Sequence, residues 1–250
     1  MPGNVHYLDP AVRWKHRFPG MAEREPSSVD VVAEILDTRF ADEVLGRLAS
    51  GKEADIYLVA HRGAPFVAKV YRLYRQAGKT GAIPLNRFSF LAAIEFERLY
   101  KAFRGGVRVP APAGRHENIV FMRFLGDDSA AAPRLVDAPP EDPRACLDSV
   151  LDEVARLLAV GIVHGDLSAF NILMHEGRPW LIDFSYATAF RRPKEKPWDK
   201  DPVARADLLR DCASLAANFR KFGLPVTAED LLSSLRERTA SGEASSATSP

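Results

Sequence analysis

The chain is poor in the residues that define several protein classes. Only two of its 250 residues are cysteines, Cys146 and Cys212, and they lie far apart in unrelated contexts. This spacing excludes a disulfide framework and a metal site built on paired cysteines. So few cysteines are typical of a reducing compartment, and we expect a cytoplasmic protein with both thiols buried as small apolar side chains.

Long apolar runs and an excess of charge are also missing. No stretch reaches the roughly 18 consecutive apolar residues that a membrane-spanning helix needs. The first residues contain no apolar segment of the signal-peptide type. The formal net charge is +1, so no overall basic field points to a membrane surface or to sequence-specific nucleic-acid binding.

The most informative segment that is present covers residues 163–185, VHGDLSAFNILMHEGRPWLIDFS. It places Asp166, Asn171 and Asp183 in two polar breaks between apolar runs, near the kinase spacing H-R-D-L-x-x-x-N followed by D-F-G. Phosphoryl transfer needs one group that orients the acceptor hydroxyl and others that hold Mg²⁺. We predict Asp166 in the first role, and Asn171 and Asp183 as metal ligands. Turn-forming residues would explain any one of the three but not all three at this spacing.

Two positions in this segment differ from the kinase pattern. Gly165 replaces an arginine that, in many protein kinases, pairs with a phosphate on the activation loop, and Ser185 replaces a glycine. The segment after Asp183 is short and lacks A-P-E. We therefore predict a kinase without a phosphorylation-ordered activation loop. His164 is expected to support the loop through a hydrogen bond.

A second candidate is Lys69, which lies among apolar residues in PFVAKVYR. Burying an unpaired ammonium is costly, so a lysine in a buried strand needs an anionic partner. Nucleotide phosphates and a helix glutamate can supply it, whereas a lysine on an exposed edge strand would need neither. Glu95 is the favoured partner, and Glu97 is the competitor on a different helix face.

A small turn lies between the first two predicted strands. Ser50, Gly51 and Lys52 occupy it, and such a turn can present backbone N–H groups and the Ser50 hydroxyl to phosphates. It is neither G-x-G-x-x-G nor a Walker loop, and an ordinary hairpin turn would have the same sequence. Its position, about twenty residues before Lys69, favours the phosphate role.

Together these motifs resemble the RIO family of atypical serine/threonine protein kinases. The resemblance covers residues 44–222, through S-G-K-E-A-D-I-Y, V-A-K-V-Y-R, E-F-x-x-L, V-F-M-x-F-L-G, H-G-D-L-S-x-F-N-I-L and L-I-D-F-S. H-G-D-L also occurs in aminoglycoside phosphotransferases, so the specific features are L-S-A-F-N and S-G-K-E-A. Residues 1–40 show no winged-helix domain, which resembles the group without one.

The resemblance implies ATP with Mg²⁺, or Mn²⁺ as an alternative, and phosphorylation of protein hydroxyls or of the chain itself. It implies a catalytic role for Asp166 and Lys69, and it makes Asp183 a candidate phosphate acceptor, since some members act as ATPases. The implied ATP-binding residues are Ser50, Gly51, Lys52, Lys69, Glu95, Met122, Phe124 and Asn171. Arg123 stands where an acidic residue is expected, which leaves adenine recognition to backbone groups. Ribosomal particles are the candidate partner.

The predicted fold class is α+β, a trimmed two-lobe protein-kinase-like fold with a cleft between the lobes. The N-lobe is an antiparallel sheet plus one helix, and the C-lobe is mainly helical. The predicted parts are an N-terminal extension with a short helix at 1–40, the N-lobe at 41–125, the C-lobe at 126–238 and a disordered tail at 239–250. Strands are predicted at 43–50, 54–61, 65–74, 119–125, 171–174 and 180–182, helices at 29–40, 88–103, 144–160, 203–222 and 228–238, and loops at 75–86, 109–113 and 127–143.

Two other functions fit part of the pattern. A small-molecule phosphotransferase of the aminoglycoside or choline kinase type shares H-G-D-L and I-D-F. It needs a larger C-terminal lobe with an acidic pocket, and only about seventy residues follow Asp183. A non-catalytic scaffold that keeps a nucleotide site would lose Lys69, Asp166 or Asp183, and all three are present.

Overall fold

The structure is a computed structural model that describes residues 28–51, 53–71, 87–127, 130–190 and 198–246. Lys52 and the loop predicted at residues 75–86 lie outside the described residues. The chain divides into two compact units, of which unit 1 is Met1–Glu97 with Ala111–Phe124, and unit 2 is Arg98–Pro110 with Leu125–Pro250. The change of unit after Phe124 lies one residue from the lobe boundary proposed above.

Unit 1 is built on a five-stranded antiparallel sheet with the order β1-β2-β3-β5-β4. Its elements are α1 (Ser28–Asp37), β1 (Glu43–Ser50), β2 (Ala54–His61), β3 (Ala64–Tyr71), the first part of α2 (Arg87–Arg104), β4 (Pro112–His116) and β5 (Ile119–Arg123). Arg62 and Gly63 join β2 to β3 and have positive φ angles of 50° and 78°. A two-residue hairpin turn needs such angles if its twist is to match that of the strands. The short strand β4 overlaps the stretch predicted as a connector at residues 109–113.

The two faces of the sheet bury different side chains, because residues alternate across a strand. Val31 and Ile35 of α1 pack on one face, in a cluster that includes Tyr57, Ala68 and Phe121. Lys69 lies on the other face, where the strand register sets it opposite Ile56 of β2 and Val120 of β5. The short helix that the sequence placed in an N-terminal extension therefore contributes core side chains to unit 1.

Unit 2 is mainly helical. It contains α3 (Pro143–Ala159), β6 (Ile162–Val163), β7 (Ile172–His175), β8 (Arg178–Leu181), β9 (Thr188–Ala189), a 3₁₀ turn (Trp198–Lys200), α4 (Pro202–Lys221) and α5 (Ala228–Ser246). The strands form two small antiparallel ladders, β6–β9 and β7–β8. Aspartates cap the helices α3 and α4: Asp142 accepts from the Ala145 N–H and Asp201 from the Ala204 N–H. A proline follows each cap at the first helical position, where its missing N–H costs nothing.

Helix α5 is longer than the sequence suggested. It continues to Ser246, whereas the predicted helix ended at residue 238 and a disordered tail began at 239. Ala240, Glu243 and Ala244 are good helix formers and offset the single Gly242. Arg238 ties α5 to α3 through Asp148 at 2.8 Å and through Asp152.

The stretch predicted as an exposed loop at residues 127–143 is partly buried. Leu135 is fully buried, and its N–H donates to the Ile172 carbonyl at 2.8 Å. The Val136 N–H donates to the Ala169 carbonyl at 3.1 Å. The Pro- and Ala-rich composition suggested an exposed loop, so the sequence did not predict this extended segment. The segment lies beside the loop that carries Asn171. None of the described helices is both long enough and apolar enough to cross a membrane.

Candidate active site

Unit 1 contributes a buried ion pair. Lys69 of β3 is 7% exposed and Glu95 of α2 is 1% exposed, and the Lys69 Nζ lies 2.8 Å from Glu95 Oε1. The competing Glu97 is an exposed residue on another face of the helix. A buried ammonium and a buried carboxylate are tolerated here because each compensates the other.

Tyr71 is the third member of this buried group, and the sequence analysis missed it. Its hydroxyl donates to Glu95 Oε2 at 2.5 Å, and the Lys69 Nζ lies 5.1 Å from the centroid of its ring. Asn118 fixes the backbone of Tyr71, because its carbonyl accepts the Tyr71 N–H at 2.9 Å and its side-chain amide donates to the Tyr71 carbonyl at 2.8 Å. The sequence feature that could have identified Tyr71 is its spacing from Lys69, since residues two apart on a strand share a face of the sheet.

The turn after β1 contains the predicted phosphate loop, of which the structure describes Ser50 and Gly51. Ser50 is exposed at the end of the strand, and the Gly51 N–H donates to the Ala54 carbonyl at 2.9 Å. Both residues stay predicted phosphate contacts.

The two predicted adenine-contacting residues lie at the end of unit 1. Met122 of β5 is opposite Val67 of β3 in the register, which puts Met122 on the same sheet face as Lys69. Phe124 follows the strand and is half-buried. Between them, the Arg123 N–H donates to the Ala111 carbonyl at 2.8 Å.

Unit 2 contributes the loop that joins Asp166 to Asn171. The Asn171 side-chain amide donates to the Asp166 carbonyl at 2.7 Å and to Asp166 Oδ2 at 3.1 Å. Asp166 is exposed. Because the Asn171 nitrogen is committed to Asp166, its amide oxygen is the atom that can contact a cation.

Asp183 sits in a strained backbone conformation next to this loop. Its φ is +66°, which is uncommon for a residue with a side chain and is often found at functional sites. The preceding Ile182 N–H donates to the Asn171 carbonyl at 3.0 Å, so the chain before Asp183 is hydrogen-bonded to Asn171. Ser185, one of the two departures from the kinase pattern, donates its hydroxyl to Asp183 Oδ1 at 2.6 Å.

His164 supports the loop as predicted, with its Nε2 3.0 Å from the Ile182 carbonyl. The other departure, Gly165, has a physical reason. Its φ is +80°, and a Cβ there would lie 2.4 Å from the Tyr186 carbonyl oxygen. Any side chain at position 165, arginine included, would collide with this backbone.

A buried aspartate that the sequence analysis did not assign accepts hydrogen bonds from the backbone around Asp166. Asp211 of α4 is 3% exposed, and its carboxylate accepts the N–H groups of Gly165 and Leu167, each at 2.9 Å. Burial raises the pKa of the Asp211 carboxyl, against the lowering effect of His164 and of the two N–H donors. The signal was the R-D-C sequence at residues 210–212, but its contact lies more than forty residues upstream.

A second buried carboxylate holds the strand that leads to Asp183. Glu153 of α3 is fully buried and receives the Arg108 N–H at 2.8 Å and the Arg108 guanidinium at 2.6 Å. The Arg108 carbonyl in turn accepts the Leu181 N–H at 2.9 Å. The backbone just before Asp183 is thus tied, through Arg108, to helix α3.

The donor set fits magnesium. Among the described residues there is no cluster of three or more His, Cys, Asp or Glu side chains of the kind that cages a metal. Magnesium prefers hard oxygen ligands, keeps several waters and commonly takes one or two protein carboxylates plus phosphates. The Asp183 carboxylate and the Asn171 amide oxygen are of this type.

An antiparallel sheet with a buried Lys–Glu pair, and a helical unit that presents Asp166, Asn171 and Asp183, define a protein-kinase-like α+β fold. Residues 67–231 match the RIO domain family. The chain belongs to that family.

The relatives agree with this assignment. The RIO-type serine/threonine-protein kinase Rio1 of Haloferax volcanii is 33% identical over 137 residues, 55% of this chain and 44% of the relative. The Rio1 of Methanocaldococcus jannaschii is 29% identical over 213 residues, 79% of this chain and 70% of the relative. This chain thus spans less than half the length of the first of these.

A solved structure supports the fold. The Chaetomium thermophilum Rio2 kinase in an ADP/Mg²⁺-phosphoaspartate complex superposes with a TM-score of 0.62 at 21% identity. The match covers 86% of this chain and 69% of that one. At this identity the likeness concerns the fold.

Proposed function

We propose that the chain is a RIO-type serine/threonine protein kinase that transfers the γ-phosphoryl group of Mg·ATP to a protein hydroxyl, its own included. The observation that carries the proposal is the buried Lys69–Glu95 pair, 2.8 Å between Nζ and Oε1. A buried ion pair contributes little to stability because both charges lose their hydration, so its presence favours a functional role. Holding the lysine toward nucleotide phosphates is that task in kinases.

The residues divide the reaction between them. Asp166 orients the acceptor hydroxyl and takes its proton as the new P–O bond forms. Asn171 and Asp183 would hold Mg²⁺, which would neutralise charge on the phosphates. Lys69 binds the α- and β-phosphates, with Glu95 behind it. The remaining ATP contacts in the proposal are Ser50, Gly51, Lys52, Met122 and Phe124.

We further propose that Asp183 accepts phosphate. A Rio2 relative is described with phosphoaspartate beside ADP and Mg²⁺. In this chain, the Ser185 hydroxyl donates to Asp183 Oδ1 and would help to orient the carboxylate. A carboxylate oxygen of Asp183 would attack the γ-phosphorus while the bond to the ADP oxygen breaks, and water would then hydrolyse the acyl phosphate to carboxylate and phosphate.

The alternatives have less support. A small-molecule phosphotransferase shares the H-G-D-L segment, but the family match and its named kinase relatives favour protein phosphorylation. A non-catalytic scaffold has no use for an intact Lys69–Glu95 pair. Cytoplasmic location, use of Mn²⁺ and ribosomal particles as partner remain proposals from the sequence.

The test is to follow the γ-phosphate. Purified protein is incubated with labelled ATP and Mg²⁺, alone and with ribosomal particles, an aminoglycoside or choline added, and label is measured in protein, in free phosphate and in the added small molecule. We expect label in protein as alkali-sensitive phosphoester, with a hydroxylamine-sensitive fraction if Asp183 accepts phosphate. Transfer of label to an aminoglycoside or to choline alone would overturn the proposal.

A further inference from the structure

The Glu95 carboxylate has two partners on one strand. Its Oε1 receives Lys69 Nζ at 2.8 Å, and its Oε2 receives the Tyr71 hydroxyl at 2.5 Å. Lys69 and Tyr71 are two residues apart on β3, so both side chains lie on one face of the sheet. Glu95 therefore has a charged donor and a neutral donor at the same time.

The two donors differ in what happens when a nucleotide binds. Glu95 is 1% exposed, and a buried carboxylate is costly unless hydrogen bonds compensate it. In the proposed reaction the Lys69 ammonium is shared with phosphate, so Glu95 loses part of its compensation. The Tyr71 phenol carries no charge that phosphate would attract, so we expect it to continue to donate to Oε2.

We propose that Tyr71 is a positioning residue that keeps Glu95 fixed while Lys69 binds phosphate. This inference rests on the proposed kinase function. Tyr71 is fully buried, and Asn118 binds both its N–H and its carbonyl. The backbone of Tyr71 is thus held by Asn118, the residue before β5, through hydrogen bonds that do not involve Lys69.

Tyr71→Phe tests this role because it removes one oxygen and keeps the ring. The matched control is Tyr57→Phe, a buried tyrosine on the opposite face of the sheet, in the cluster under α1. We expect kcat/KM for ATP to fall about ten- to hundredfold in Tyr71→Phe, the range that loss of one hydrogen bond to a charged group gives. Tyr57→Phe should stay within about twofold. Equal kcat/KM in Tyr71→Phe and the wild type overturns the inference.

A double-mutant cycle separates positioning from general stability. If Tyr71 acts through Glu95, then Tyr71→Phe lowers kcat/KM no further in a Glu95→Ala background. The same factor in both backgrounds would mean that Tyr71 acts on its own, and would overturn the inference. If Glu95→Ala does not fold, Glu95→Gln takes its place in the cycle. In the Glu95→Gln background we expect Tyr71→Phe to lower kcat/KM by a smaller factor than in the wild type.

The cycle is also measured in urea unfolding without nucleotide. Coupling between Tyr71 and Glu95 in stability is expected, and its absence overturns this inference while leaving the kinase proposal intact. A wild-type protein that transfers no phosphate overturns the kinase proposal, and the unfolding cycle then still decides whether Tyr71 holds Glu95.

Discussion

The two units position their candidate functional residues in opposite ways. In unit 1, the side chains of Lys69 and Glu95 are buried and hold each other. In unit 2, Asp166 is exposed. The backbone on either side of it is fixed by Asp211, which accepts the N–H groups of Gly165 and Leu167. Side-chain charge thus fixes the candidate residues of unit 1, and main-chain hydrogen bonds to buried carboxylates fix those of unit 2.

The difference agrees with the role that we propose for each set of residues. A lysine that binds phosphates gains from a dry environment, because electrostatic interactions strengthen where water is excluded. A base and metal ligands must meet substrate and keep waters, so they must be accessible. An exposed side chain cannot rely on burial for its position. Its backbone has to be rigid instead, and this accounts for Gly165 and for the positive φ of Asp183.

The largest expected effect comes from Asp183, the half-buried residue of unit 2 that we propose as a metal ligand. Asp183→Asn keeps the size of the side chain but removes the carboxylate that we assign to Mg²⁺. We expect kcat/KM for ATP to fall by about 10³-fold, in keeping with the several kcal/mol that a bound metal supplies, and no recovery at high Mg²⁺.

The matched control is Asp137→Asn, which alters an exposed aspartate of unit 2 paired with Arg134. It should leave the steady-state rate within about twofold of the wild type. If both variants behave alike, Asp183 has no special role in catalysis.

Gly165→Ala tests whether backbone shape orders unit 2. Its Cβ would lie 2.4 Å from the Tyr186 carbonyl oxygen, at a φ of +80°. We expect a loss of about 3 kcal/mol in the free energy of unfolding, from strain plus collision.

Gly177 supplies the control, since its φ is +70° but a Cβ added there would meet no atom within 4 Å. Gly177→Ala should cost only about 1 kcal/mol. Equal costs in urea unfolding would show that the Tyr186 contact is unimportant.

Asp211→Asn tests the buried carboxylate under the loop. Asparagine offers one acceptor oxygen to two N–H groups, so we expect a loss of about 1–3 kcal/mol in the free energy of unfolding. The loss should depend on pH, because burial raises the pKa of Asp211 above its usual 3.8 in the folded state.

A raised folded-state pKa means that the folded chain binds the proton more tightly. The contribution of this proton binding to the stability of the fold is fully present below about pH 3.8. It is lost as the pH rises through the folded-state pKa of Asp211. In urea titrations, the free energy of unfolding of the wild type should therefore exceed that of Asp211→Asn most at acid pH. The difference between the two should become smaller toward neutral pH. A gap that widens would contradict the assigned direction.

The smallest effect is expected far from the chemistry. Arg238→Met removes the contacts of α5 with Asp148 and Asp152 of α3. Partly exposed pairs contribute little, so the free energy of unfolding should fall by about 1 kcal/mol. Phosphate transfer at 25 °C should remain unchanged. A large loss of activity would mean that α5 takes part in ordering the site.

Local patterns made most of the fold predictable from the sequence. Strands β1 to β3 and the helices α2, α3 and α4 carry clear alternation or helical spacing and turn residues at their ends. Asp166, Asn171 and Asp183 lie within 18 residues of one another, so their spacing identified them. Glu95 followed from Lys69, because a buried ammonium requires an anion.

The residues that support the site could not be predicted in this way. Asp211 and Tyr71 contact partners 46 and 24 residues away, and no local period links such positions. Glu153 lies in a helix whose sequence gives no sign that Arg108 needs a buried carboxylate. The predicted end of α5 at residue 238 lies before the end at Ser246, because the serines and the glycine of that segment suggested disorder.

The central claim is tested most directly by phosphate transfer from labelled ATP in Asp166→Ala beside the wild type, with Mg·ADP affinity measured for both. We expect transfer to fall by about 10³-fold, within the range for loss of a general base, at nearly unchanged Mg·ADP affinity. Near-wild-type transfer by Asp166→Ala would contradict the account.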